Sequence, residues 1–263
     1  MSHLGRLAVC ALLGAASLLG VSEAAAQSLR RYQGGDWRRV NREKPDDAFF
    51  TLNRFTAEAR FGAYYPQIDE EFGGAATPYA EVFNTNPQFY FGLEVDWLPL
   101  RIPYVGVIGP GVGWGYTWAS AKAKISGTDR ESAQETSLWI MPMHASAVLR
   151  VDALRRELGI PIVPYGKLGF GWGLWSASTG DETATVDETV GRGTTLGTHL
   201  ALGGMLSLGW LDPGSSGSLN DTTGIQNLYL FGEWMNANLD GLGSRPQMHV
   251  GSSSWVIGLA GDI

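Results

Sequence analysis

Cysteine is all but missing from this 263-residue chain: Cys10 is the only one, and it falls within an apolar N-terminal stretch. Disulfides and thiol catalysis are therefore excluded for everything beyond that stretch. Long apolar runs are equally scarce. After residue 26 none approaches the roughly eighteen residues a membrane helix needs, so any passage through a bilayer must be made by strands. A basic tract is missing as well, and with a formal charge of −7 nucleic acid is dropped as a partner. No His/Asp/Glu group has metal-ligand spacing and no glycine loop is built to cradle phosphate, so neither a metal nor a cofactor is expected.

Glycine and aromatic residues are abundant: 36 Gly, ten Trp, nine Tyr and ten Phe. That mixture suits tightly curved sheets and interfacial girdles better than packed helices. Residues 1–26 read as an export signal, with Arg6 as the basic flank, Leu7 to Val21 as the apolar run and Ala24-Ala25-Ala26 as the cleavage site before Gln27. Cys10 ends Leu7-Ala8-Val9-Cys10, a superficial lipidation box, but no apolar run precedes it and lipidation is not expected. Residues 27–50 are polar and locally basic and read as a periplasmic lead.

The stretch Thr194 to Trp210 sets the fold. Leu196, Leu200, Leu202, Leu206, Leu208 and Trp210 share one parity, while Gly197, His199, Ala201, Gly203, Met205, Ser207 and Gly209 share the other. A period of two is a strand, and large residues opposed by small ones place the large side against lipid. A sheet in lipid must close on itself, because an open edge would strand backbone donors and acceptors. Seven further alternating segments follow the same rule: Arg54 to Tyr64, Gln88 to Trp97, Pro103 to Trp118, Ser137 to Val151, Pro164 to Trp175, Asn227 to Asn236 and Ser253 to Ile263. In the third, Gly109, Gly111, Gly113 and Gly115 form a ladder that signals a tight bend or a crowded interior.

The expectation is an all-β chain whose residues 51–263 form an eight-stranded antiparallel up-and-down transmembrane β-barrel with both termini in the periplasm. Polar links at 67–86, 119–136, 176–193 and 237–252 are the expected outer loops, and Leu98 to Ile102 is a short periplasmic turn. Asp152 to Ile160 has the look of one or two helical turns with Leu154 and Leu158 on one face, and Asp212 to Gly224 that of a flexible link.

With those strands in place the chain resembles small eight-stranded outer-membrane barrels, the class of the outer membrane protein A transmembrane domain. Asp152-Ala153-Leu154-Arg155-Arg156-Glu157-Leu158-Gly159-Ile160, Tyr165 to Phe170, Leu228 to Met235 and Asp240-Gly241-Leu242-Gly243 also resemble a myxobacterial family of predicted outer-membrane β-barrel proteins of unknown function. The resemblance implies residence in the cell outer membrane, lipid and lipopolysaccharide as surroundings, insertion by the barrel-assembly machinery and a monomer, but no activity. Such barrels usually end in an aromatic residue; this chain ends in Ile263.

Glu58, Arg60, Glu94, Asp96, Lys167 and Glu233 all take the inward parity and are the expected lumen charge network. Charges in so narrow a space must pair, which predicts a structural polar plug or, alternatively, a narrow ion or small-solute path. Reflecting the first two strands about a loop centred near Ala76 brings Arg60 close to Glu94. His144 and Ser146 are the candidate catalytic residues, and their His-x-Ser spacing resembles an element of lipid A deacylases; hydrolysis would need them on the lipid side, with an acid to orient the imidazole. His199 stands alone on its face and reads as a packed lumen residue. A plugged barrel acting through its outer loops, with no enzyme activity, is the favoured reading. Asp69, Glu70, Glu71, Glu81, Asp181, Glu182, Asp187 and Glu188 make those loops acidic, which reads either as solvated loops kept acidic for solubility or as a rim that divalent cations bridge to lipopolysaccharide without a dedicated metal site.

Overall fold

A computed structural model of the chain describes residues 55–124, 131–180, 182–186, 189–210, 223–243 and 247–263. The expected export signal and polar lead lie outside the described residues, as does 211–222, which takes in most of the expected Asp212–Gly224 link.

Eight long strands run antiparallel: β1 (Phe55–Tyr64), β2 (Gln88–Trp97), β3 (Gly106–Lys124), β4 (Glu131–Arg150), β5 (Ile162–Thr179), β6 (Arg192–Ser207), β7 (Asn227–Asn238) and β8 (Ser252–Asp262). Each pairs with its neighbours in sequence, and β8 pairs back onto β1, from Thr56↔Asp262 to Gly62↔Val256. The fold is a closed eight-stranded up-and-down barrel with no free edge. Among the described residues no helix is long and apolar enough to cross a membrane.

Side-chain alternation explains the closure. Leu93, Val112, Phe170, Leu202, Leu230 and Ile257 point outward and are exposed, while their inward neighbours Glu94, Gly113, Gly171, Ala201, Phe231 and Val256 are buried. A slip of one residue in any ladder would exchange these two faces and put charge on the apolar wall, so the pattern specifies the register. The first hairpin has the expected reflection: Arg60 faces Gly92, and Glu58 faces Glu94.

Several boundaries differ from the sequence reading. The opening stretch forms β6 only to Ser207, after which Leu208–Trp210 is a 3-10 turn. β3, β4 and β5 are 19, 20 and 18 residues long, well beyond the ten or so that a bilayer requires. Much of the expected outer loop 119–136 is therefore ladder, with Ser120 opposite Ser137 and Lys122 opposite Glu135. Backbone ladder bonds do not depend on side-chain polarity, so polarity marked the end of the apolar wall and not the end of the strand. The short turn after β2 holds a strand of its own, Leu100–Ile102, paired to the start of β3.

Both ends of the barrel are covered. At the loop end, the β1–β2 link folds into the 3-10 helix Gln67–Phe72 and the helix Pro78–Phe83, and it lowers Ile68, Tyr79 and Phe83 onto Tyr64 and Tyr90. The β7–β8 link adds Leu239 and Val250, both fully enclosed. Burying residues of this size contributes about 1.5–3 kcal/mol each. Polar bonds pin the two links: Gln67 N–H to the Gly251 carbonyl at 2.9 Å, and the Thr195 hydroxyl to the Met248 carbonyl at 2.9 Å. At the terminal end, the predicted helical turns form a helix, Ala153–Leu158. Its Arg155 crosses the opening to the Asn227 side-chain oxygen at 3.0 Å and lies over the Tyr229 ring. Leu158 does not share a packed face with Leu154; it is exposed.

Candidate functional site

Between the two covered ends lies a belt of buried charge. Arg60 on β1 reaches three carboxylates through Nη2: Glu94 at 2.7 Å, Glu233 at 3.0 Å and its strand neighbour Glu58 at 3.1 Å. Lys167, from β5 across the lumen, lies 2.8 Å from Glu58, 2.9 Å from Glu94 and 3.9 Å from Asp96. Glu94 also meets His144 Nε2 at 3.1 Å, and the Tyr165 hydroxyl donates to Glu233 at 2.8 Å. The six expected lumen charges thus form one connected group, all of them fully enclosed; Arg150, which the sequence reading did not single out, is buried as well and bonds to Thr56 and Asp262 at 2.7 and 2.9 Å.

Small residues make this group fit. One ladder row runs Glu58, Glu94, Gly113, His144, Gly171, Gly197 across six strands. Three large side chains and three glycines share this row, so the bulk of one strand lies in the space its neighbours leave empty. A methyl group on Gly113 would collide with the His144 ring, one on Gly111 with Asp96, and one on Gly115 with Tyr90. The glycine ladder seen in the sequence is the space in which its neighbours' side chains lie.

His199 is not alone. Its ring stacks on His144 at 3.7 Å with the planes 2° apart. The two histidines come from β4 and β6, and β5 between them supplies Gly171 opposite His144 and Gly169 opposite His199. A pair of inward histidines flanking a strand of inward glycines was the signal for this contact, and sequence reasoning missed it.

Three chemistries can be weighed on this geometry. Glu58, Glu94 and Asp96 present oxygens within 4.8 Å of one another, as a cation site would. The Lys167 ammonium already stands among them, so the positive charge they surround is the protein's own. Ser146 faces the lumen and its hydroxyl makes no hydrogen bond with the described residues, while His144 spends Nε2 on Glu94. In this arrangement the Ser146 hydroxyl is not hydrogen-bonded to His144, and both side chains are buried away from the lipid side that hydrolysis would need. The acidic rim is partly spoken for too: Asp69 accepts the Tyr79 and Ala80 N–H groups at 2.7 and 3.0 Å, holding the start of the short helix.

Carboxylates outnumber cations in the belt by four to two, and Asp96 is the least supported, since neither oxygen accepts a hydrogen bond from the described residues. Asp96→Asn is expected to be neutral or stabilising by about 1 kcal/mol, because it removes surplus buried charge while keeping the shape. Glu94→Gln, which strips a carboxylate from Arg60, Lys167 and His144 at once, should cost several times more. Urea midpoints of the folded barrel in detergent compare the two; equal losses would contradict the ranking.

No protein-family model matches the chain, and no curated protein matches it. Solved structures with a similar arrangement include Ail, the attachment invasion locus protein of Yersinia pestis, at 11% identity and a TM-score of 0.38, covering 80% of this chain and 97% of that one. The N-terminal β-barrel domain of Pseudomonas aeruginosa OprF is 9% identical with a TM-score of 0.35, covering 80% and 98%. The outer membrane enzyme PagL is 12% identical with a TM-score of 0.38, covering 78% and 97%. At such identities no activity passes from these proteins to this chain.

Proposed function

We propose that the chain is an integral outer-membrane protein in which the barrel, residues 51–263, follows an export signal and a periplasmic lead. It works as a structural or surface-interaction element through its outer loops, with lipid and lipopolysaccharide around it. The observation that carries this reading is the pairing of an apolar outer wall with a lumen filled from end to end. Phe89, Val112, Phe170 and Trp255 are exposed on the outer wall, while Arg60, Glu94, Lys167 and Glu233 are buried inside it. Such a wall is at home only in hydrocarbon, and a lumen closed by two folded links above and an arginine-bearing helix below favours a plug over a pore.

Closed barrels resist detergent until heated. The purified protein should migrate at different positions on a denaturing gel before and after boiling, and it should stay with membranes through alkaline carbonate. In planar bilayers it should show no discrete conductance steps. Steps that disappear in Lys167→Met would replace the plug with the narrow-channel reading, and release by carbonate would end the membrane reading altogether.

A further inference from the structure

The link between β2 and β3 combines two features that packing does not explain. Ile102 to Val105 is a turn closed by the Val105 N–H on the Ile102 carbonyl at 3.1 Å, with Pro103 second and Tyr104 third. Tyr104 has φ +62°, the left-handed conformation that this place in the turn reserves for glycine and that a tyrosine adopts only at a cost. Among the described residues no packing offsets that cost, because Tyr104 is 76% exposed, more than any other large apolar or aromatic residue described. The second feature is that the apolar exterior does not stop where β2 does. Beyond Trp97, Leu100, Ile102 and Val105 are exposed in turn, and the Ala153 N–H bonded to the Val105 carbonyl ties this turn to the Ala153–Leu158 helix.

The length of β3 fixes the depth of the turn. Outward side chains run from Trp118 to Ile108, beyond which, toward the loop end, come Ser120 and Lys122. Ten residues at about 3.3 Å each, tilted by about 40°, span roughly 25 Å, the height of the apolar band on such barrels. Ile108 then marks the inner edge of the hydrocarbon. Tyr104 lies a few residues further on, within the roughly 5–8 Å by which headgroups extend past the hydrocarbon on each side.

We infer that the Leu100–Val105 turn is a membrane anchor whose partner is the phospholipid headgroup layer of the periplasmic leaflet, with the Tyr104 ring seated in that layer. The inference rests on the bilayer-spanning reading of the barrel. A glycine would suit the backbone better, but it has no apolar body to lie against acyl chains and no hydroxyl to reach water, the combination that places tyrosine at membrane interfaces.

Nitroxide labels in phosphatidylethanolamine–phosphatidylglycerol vesicles test this, using a Cys10→Ser background. Val105→Cys reports the turn with Tyr104 intact, Leu168→Cys reports the wall and Glu70→Cys an exposed outer link. The wall label should be open to oxygen and closed to a water-soluble nickel chelate, and the Glu70 label the reverse. The Val105 label should collide with nickel several-fold less often than the Glu70 label, and Tyr104→Gly should return it toward the Glu70 value. A Val105 label as open to nickel as Glu70, or indifferent to Tyr104→Gly, while Leu168 stays closed overturns the anchor alone. Nickel access at Leu168 overturns the bilayer-spanning reading and the anchor with it.

Discussion

Arg60→Ala should lower the stability of the folded barrel by about 3–5 kcal/mol, seen as a fall in the urea midpoint in detergent. The guanidinium lies within 3.1 Å of Glu58, Glu94 and Glu233, and its carbon sits 5.9 Å from the centre of the Phe231 ring. Removing it leaves three enclosed carboxylates to a single remaining cation, Lys167, which touches only two of them. The loss comes from charge left behind more than from attraction removed, so taking away one carboxylate as well should recover part of it. Arg60→Ala with Glu94→Ala should therefore cost less than the sum of the single changes, by about 1–3 kcal/mol of coupling. Strict additivity would mean that the belt is too hydrated for its members to sense one another.

Gly113→Ala should be almost as damaging despite adding a single carbon, with an expected loss of about 1–3 kcal/mol and a reduced yield of the heat-modifiable form. The new methyl would overlap the His144 ring, and that ring has nowhere to go, because His199 is stacked on its far side at 3.7 Å. Backbone movement is blocked too, since Gly113 is laddered to Glu94 on one side and His144 on the other. His144→Ala clears the space. The double change Gly113→Ala with His144→Ala should be better folded than Gly113→Ala alone, and a double mutant that is worse would show that the glycine serves strand curvature and not the histidine.

Strand number, order and facing were legible because a period of two in a barrel wall has one solution. Leu196, Leu200 and Leu202 must share a side, and once they face lipid, Ala201 and His199 must face in. The same parity put Glu58, Arg60, Glu94, Asp96, Lys167 and Glu233 in the lumen, and the hairpin reflection placed Arg60 beside Glu94. Parity says nothing about height or about angular position around the barrel, however. Lys167 reaches Glu58 and Glu94 across the lumen, a contact set by the tilt and stagger of closure and by no local pattern. The strand ends were illegible for a different reason. Polar residues in β3 to β5 continue a backbone ladder whose hydrogen bonds do not depend on side-chain character. The covering links escaped notice because Ile68, Tyr79, Phe83, Leu239 and Val250 are scattered over two links with no period of two, and only the fold reveals that they converge on one mouth.

The pairing of β8 with β1 also has a consequence in time. The Thr56 hydroxyl bonds to the Asp262 carboxylate across 206 residues of chain, and bringing ends that far apart together costs about 5 kcal/mol of loop entropy before any bond is gained. Hairpins such as β3–β4 and β4–β5 close over links of six and eleven residues, 125–130 and 151–161, far less chain than the seam spans, so the seam is expected last. Until then the growing sheet has two raw edges, one at each end of the sequence, and each is a template for the wrong chain. Half a barrel is therefore not a smaller stable object but a sticky one. Every intermediate in which β8 is unpaired needs its edges occupied by something else, and the eleven residues of β8 decide whether the second edge of β1 is ever covered.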